Sequence, residues 1–255
     1  MLIGTRLLLA RIALEPDETT QADLLEALPA DERARISRFR QMADQMRAIT
    51  AAILPRLAIH RLHGVPLDQI ALPRSSAGKP CYPDDPDFHF NLSHSGEYVG
   101  LGIGGAPLGV DCEQIRADRD QDAIARRFFT PDEQRWLAEF SSAERAQRFF
   151  ELWSRKESLL KATGVGLSGS LASFDARPSR DRGTEVRVNG QRWFICSYSA
   201  LQGYSVALCS AQPDLPSGPQ VIDARSDPLD RLAASIEILL ASDCAAATKG
   251  LRVRA

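Results

Sequence analysis

Two acids in Gly109-Val110-Asp111-Cys112-Glu113 are spaced for shared chemistry. In an extended chain, residues two apart project to the same side. Asp111 and Glu113 therefore share a face, Gly109 leaves open space beside them, and Val110 and Cys112 turn to the core. Two carboxylates with no base on their own strand repel unless a cation lies between them, and oxygen-only ligation suits a hard divalent ion such as Mg²⁺. An isolated Asp-x-Glu is more often a solvated strand face. A second group lies in Phe150-Glu-Leu-Trp-Ser-Arg-Lys-Glu157-Ser-Leu-Leu-Lys161. Helical spacing puts Phe150, Trp153 and Glu157 near one face, with Lys161 one turn further on. A Glu on the packed side of a helix needs a partner. The plainer alternative is a Glu157–Lys161 surface pair, which contributes only about 0.2–0.5 kcal/mol. A third group, Asn91-Leu-Ser93-His94-Ser95-Gly96, reads as a strand end entering a glycine turn, with small donors and one imidazole able to hold a phosphate. A lone histidine is more often structural, which is also the reading for His60, His63 and His89. His60 and His63 share a helix face but lack a third metal ligand nearby.

The elements that must position these groups follow from periodicity and punctuation. Met1 to Leu14 is read as a buried first strand, because Arg6 and Arg11 interrupt an otherwise signal-like apolar run. A short helix is expected over Ala22–Leu28. A long helical stretch follows from Asp31 to His63, broken near Ala43, with Met42, Met46, Ile49, Ile53 and Leu57 as its stripe. Arg74 to Asp87 is proline-rich loop. Phe88–Leu92 and Glu97–Gly104 are strands, the second with glycines crowding one face. Gly104-Gly-Ala-Pro107 is expected to turn the chain so that Leu108–Glu113 returns as its antiparallel partner. Thr130-Pro-Asp-Glu133 and Ser141-Ser-Ala-Glu144 are capping boxes, the second opening a helix that Gly164 and Gly166 end near Ala162. Asn189-Gly190 marks a type I′ hairpin between Glu185–Val188 and Gln191–Ser199, and Tyr204–Ser210 is a further strand. Gln212 to Pro228 looks like linker, ahead of a final helix from Leu229 to Ala246. Strands and helices recur in blocks without strict alternation, an α+β pattern.

The 255 residues suffice for one large domain or two small ones. A hydrophobic content of 44% with 25% charged residues is that of a folded globular chain. The 31 Lys+Arg against 33 Asp+Glu predict neither a nucleic-acid coat nor a polybasic membrane anchor, so an anionic ligand must be held by locally clustered bases. Cys81, Cys112, Cys196, Cys209 and Cys244 are odd in number and form no Cys-x-x-Cys, which favours a reducing compartment and a cytoplasmic location. No apolar run approaches the ~20 residues that span a bilayer.

Taken in order, Gly78-Lys79-Pro80, Phe90-Asn-Leu-Ser-His-Ser-Gly96, Gly109-Val-Asp-Cys-Glu113 and Trp153-Ser-Arg-Lys-Glu-Ser-Leu-Leu-Lys161 resemble the motifs of the Sfp-type 4′-phosphopantetheinyl transferases, from about Leu25 to Ser210. That family activates carrier proteins of peptide, polyketide and fatty-acid synthases. The resemblance implies a pseudo-dimer of two similar α+β halves, here residues 1–107 and 108–211, with coenzyme A in the cleft between them. Residues 212–255 lie outside it, as a linker and helical extension without an assigned role. It implies transfer of the phosphopantetheine arm of coenzyme A to a carrier-protein serine, with release of 3′,5′-ADP.

Carried over residue by residue, the resemblance makes Asp111, Glu113 and Glu157 ligands of Mg²⁺. It puts Lys161 and His94 on phosphates with Ser93 close by, and Lys79 facing the nucleotide. Glu157 is the candidate acceptor of the serine proton, and Lys161 the neutraliser of developing charge. Arg35 and Arg47, from the basic stretch Arg33–Arg40 and beyond, are expected to grip the 3′-phosphate and pyrophosphate. Glu32 stands where a relative has a base, which shifts weight to Arg35, and Cys112 replaces a β-branched core residue. Arg116, Arg119, Arg126 and Arg127 could steer an acidic apo acyl or peptidyl carrier protein, with Asp118, Asp120 and Asp122 interleaved. The expected partners are coenzyme A and that carrier, with no nucleic acid or membrane, and the expected state is a monomer. The competing readings are a non-catalytic module that binds coenzyme A and carrier, and a nucleotide pyrophosphatase, which the lack of a P-loop disfavours.

Overall fold

The computed structural model describes residues 3–76, 78–116, 120–164, 171–179 and 183–249, with side chains through residue 241. Arg119, Asp118 and Gly166, named above, lie outside the described residues.

The chain begins with β1 (Arg6–Arg11), whose two faces are both apolar and both buried. Leu8 and Ala10 pack under the helices, while Leu7 and Leu9 face a second sheet. Three helices follow: α1 (Glu18–Glu26), α2 (Ala30–Ile36) and α3 (Met42–His63). The break in the long helical stretch falls between Ile36 and Met42. Met46, Ile49, Ile53 and Leu57 of the stripe are buried, but Met42 opens the helix and is 37% exposed. Gly64, at φ 73°, caps α3 in the left-handed conformation. Then β2 (His89–Ser95) and β3 (Tyr98–Gly104) form a hairpin, and β3 also pairs with β1.

The next strand, β4 (Leu108–Gln114), does not return alongside β3 as expected from the turn before it. Both edges of β3 are already taken, by β1 and β2, so β4 starts a second sheet. Helices α4 (Gln121–Phe128), α5 (Pro131–Ala138) and α6 (Ser142–Thr163) follow, the last two opening on the expected capping boxes. Strands β5 (Thr184–Val188), β6 (Gln191–Tyr198) and β7 (Tyr204–Ser210) complete the sheet in the order β4-β7-β6-β5. Asn189 and Gly190, at φ 50° and 79°, make the two-residue turn between β5 and β6.

Each half thus sets one 22-residue helix, α3 or α6, against a four-stranded sheet. The two sheets stack through Leu7, Leu9, Leu108, Val110, Val206 and Leu208. Glycine makes this stacking possible. A Cβ on Gly102 would sit 2.5 Å from Val110 and 2.9 Å from Leu108. The architecture is α+β.

The segment read as linker holds a strand. β8 (Gln220–Asp223) pairs in parallel with β1, with Leu8 opposite Gln220, and covers the open edge of the first sheet. The final helix, α7 (Pro228–Lys249), adds Leu232, Ile236 and Leu239 to the core beneath α3. The stretch after β7 is tied down on the way by Tyr198, whose hydroxyl donates to the Pro216 carbonyl at 3.0 Å. Residues from the end of the chain therefore complete the core of the first half. Among the described residues no helix is long and apolar enough to cross a membrane, and Cys81, Cys112, Cys196 and Cys209 form no disulfide. Ile236→Ala should destabilise the protein by about 2–5 kcal/mol, the usual effect of truncating a buried aliphatic side chain. Urea unfolding checks this; a loss below 0.5 kcal/mol, on the order of a surface change, would mean that α7 is not integral to the core.

Candidate active site

The acids of β4 and the base of α6 meet where α6 crosses the strand. Gly109 is the crossing point: a Cβ there would lie 2.1 Å from the Ser158 carbonyl oxygen and 2.4 Å from the Ala162 nitrogen. The space expected beside the acids is thus filled by helix backbone. The close approach puts Lys161 over Asp111. Its ammonium donates to Asp111 Oδ1 at 2.7 Å and to Ser93 Oγ at 3.0 Å, so Lys161 pairs with the strand acid instead of with Glu157 one turn back.

Three consecutive inward residues hold α6 in place. Ser154 shares a 2.7 Å hydrogen bond with Ser205 on β7. The guanidinium of Arg155 is buried and donates to the Ala176 carbonyl, Ser197 and Thr184. Lys156 has no exposed surface and pairs with the equally buried Glu133 at 2.8 Å. It also donates to the Leu171 and Phe174 carbonyls and lies 4.4 Å from the Phe174 ring centroid. Glu133 in turn accepts from the backbone of Thr130 and Ala176. A residue legible as a helix cap is therefore also the counter-ion of a lysine 23 positions away (156 − 133).

With its neighbours turned inward, Glu157 faces a cavity of about 580 Å³ lined by α2, α3, β2 and α6. Burial pushes its carboxyl up to about 7, Asp111 and Glu113 push the same way, and Lys161 opposes them. Asp111 is 3% exposed, and its Oδ2 is buried without a hydrogen-bond partner among the described residues. Glu113 accepts from Ser95 at 3.3 Å. Among the described residues no three His, Cys, Asp or Glu side chains stand close enough together to hold a metal ion. The residues nonetheless fit a cation. The orphaned oxygen of Asp111 marks unmet demand for positive charge, and repulsion from Asp111 and Glu113 adds to the burial that raises Glu157.

The opposite wall is basic. Arg35 lines the cavity and pairs with Glu32. Arg56, which sequence periodicity places only as a helix residue, is 2% exposed and reaches the same cavity. It donates to the Ala52 and Ile70 carbonyls and lies 3.6 Å from Glu32. Glu32 thus holds two guanidiniums rather than emptying the wall of charge. His94 sits at the mouth, where loss of solvent, then Lys161 and Arg47, hold its pKa below the ordinary range. Arg47 itself is not on the cavity wall; it bonds Asp44 and the Gly96 carbonyl. Lys79 lines the cavity, but its ammonium donates to the carbonyls of Leu108 at 2.8 Å and Lys161 at 2.9 Å, and burial pulls its pKa down to about 8. It ties the loop of the first half to β4 and α6 of the second.

Residues 107–209 match the 4′-phosphopantetheinyl transferase superfamily, and residues 13–103 match the family described as 4′-phosphopantetheinyl transferase, N-terminal. The chain belongs to the 4′-phosphopantetheinyl transferase family. It is 37% identical over 185 residues to 4′-phosphopantetheinyl transferase psf-1 of Bacillus pumilus, covering 72% of this chain and 78% of the relative. It is 35% identical over 188 residues to 4′-phosphopantetheinyl transferase Sfp of Bacillus subtilis, covering 73% and 83%. A third relative, 4′-phosphopantetheinyl transferase ffp of Bacillus subtilis, is 35% identical over 205 residues, covering 80% and 90%.

Two outcomes test the site. Lys156→Met strands the buried Glu133 charge and should cost about 3–5 kcal/mol in urea unfolding, while Glu133→Gln added to it should recover part of the loss. The second concerns pH in chelator-treated protein. Between the unfolded value of 4.5 and the folded value of about 7, the native state keeps a Glu157 proton that the unfolded state has lost. This group therefore lowers stability as pH rises through that window. Glu157→Gln should remove the effect, gaining about 1–2 kcal/mol on the wild type between pH 5 and 8 once screening at a partly exposed group is allowed for. Parallel stability curves for the two proteins would refute the raised carboxyl.

Proposed function

We propose that the protein transfers the 4′-phosphopantetheine arm of coenzyme A to a serine hydroxyl of an apo carrier protein and releases 3′,5′-ADP. The observation that carries this reading is Glu157: a carboxyl raised to about 7, on a cavity that Arg35, Arg56, His94 and Lys161 also line. A group with its pKa near the working pH is suited to take a proton in the transition state, here from the attacking serine. Asp111, Glu113 and Glu157 are the residues that would hold Mg²⁺, which when bound neutralises charge on the pyrophosphate oxygens. Lys161, already at the Asp111 carboxylate, is placed to neutralise charge on the departing 3′,5′-ADP phosphate. Arg35 and His94 bind phosphate oxygens of coenzyme A at the cavity wall, with Ser93 and Arg47 close by. Lys79 orients the nucleotide wall through its two carbonyl contacts.

The carrier approaches the exposed Arg116, Arg126 and Arg127, close to the start of the second half, where positive charge steers an acidic partner. The absence of disulfides among the described cysteines supports action in the cytoplasm, and the pairing of two halves in one chain supports a monomer. The test is direct. Incubation with coenzyme A, Mg²⁺ and an apo carrier protein should add the phosphopantetheine mass to the carrier, and Asp111→Ala should reduce the rate at least 100-fold, roughly the loss expected of a metal ligand. No mass gain on any of several carriers would sink the proposal.

A further inference from the structure

The acids of β4 lie on an edge strand. Among the described residues, no strand receives its N–H groups that point away from β7, yet they are not left to solvent. Asn91 Oδ1 accepts from Val110 N at 2.8 Å, Ser93 Oγ from Cys112 N at 3.1 Å, and Ser95 Oγ from Gln114 N at 3.0 Å. The alternation of β2 puts these three side chains on one face, and each meets the β4 residue 19 positions ahead. The two hydroxyls do more. Ser93 Oγ donates to Asp111 Oδ1 at 3.1 Å and Ser95 Oγ donates to Glu113 Oε2 at 3.3 Å. In this pattern the third member, Asn91, meets the position of Gly109, which has no side chain to hold.

A serine hydroxyl has one proton to donate. Once its oxygen is fixed by a backbone N–H, the proton has a defined direction, and here it points to a carboxylate. We propose that Ser95, with Ser93, is a positioning residue for the acid pair: the docking of the two halves and the aiming of Asp111 and Glu113 are performed by the same hydroxyls. Ser95 is the cleaner member, because Ser93 also contacts Lys161. The inference rests on the reading of Asp111, Glu113 and Glu157 as metal ligands. Partners that orient a ligand are worth roughly 10–100-fold in metal affinity.

The experiment titrates Mn²⁺ into the full chain with coenzyme A present and follows free Mn²⁺ by electron paramagnetic resonance. Ser95→Ala is expected to weaken Mn²⁺ binding roughly tenfold, and Ser95→Thr, which keeps the hydroxyl, to restore it. Coenzyme A affinity measured with chelator should be equal in all three proteins, a split that a general loosening of the interface would not produce. If the alanine variant does not fold, Ser95→Cys fills the same space with a weak donor and acceptor, and the same loss is expected. Wild-type Mn²⁺ affinity in Ser95→Ala, with binding lost in Asp111→Ala, would overturn the positioning role and leave the metal reading standing. No Mn²⁺ uptake by the wild type would overturn the metal reading and this inference with it.

Discussion

The constraint on which this protein depends is the unpaired edge of β4. An open strand edge exposes N–H groups that demand partners. A neighbouring strand bonded through its backbone would satisfy them. Side chains from β2 satisfy them instead, at the distance of a side chain rather than of a backbone. The two sheets can therefore stack through Leu7, Val110 and Leu208 while the rim where β2 passes β4 stays accessible to α6 and the cavity.

Charge in the site is arranged by the same economy of contact. Nearly every cation near the cavity has a carbonyl or carboxylate fixing it before any ligand arrives: Arg56 on Ala52 and Ile70, Arg35 on Glu32, Lys161 on Asp111. Preorganised donors need little rearrangement when charge develops in front of them. The anion Asp111 is held on one oxygen only, by Lys161 and Ser93, and its other oxygen has no partner among the described residues. The near-neutral net charge of the whole chain conceals this local polarity.

Much of the arrangement was legible in the amino-acid sequence because it is local. Period-two alternation puts Asp111 beside Glu113, a capping box starts α6 at Ser141, and Asn189-Gly190 makes the hairpin. What periodicity does not carry is which distant element receives a group. The sequence does not show the partner of β4, because the turn after β3 gives no sign that both edges of β3 are filled. Gly109 looks like open space in the sequence, since nothing nearby shows a helix backbone crossing it. Lys156 sits in the same motif as Glu157 and Lys161, yet its counter-ion lies on another helix. Arg56 looks like any arginine on a helix until α2 and the loop at Ile70 close around it. The proline-rich composition after Gln212 concealed β8, a four-residue edge strand of the kind that tolerates such surroundings.

The return of β8 and α7 has a consequence for how the molecule is made. On a ribosome the first half emerges first, but its sheet lacks a strand and its core lacks Leu232, Ile236 and Leu239 until the second half has also been synthesised. At ~5–20 residues per second the interval is on the order of ten seconds. Throughout it, the face of β1 that awaits Leu108 and Val110, and the edge that awaits Gln220, stand open to any passing chain. Order of synthesis and order of assembly are thus uncoupled, and the N-terminal half has to wait for the segment that closes it.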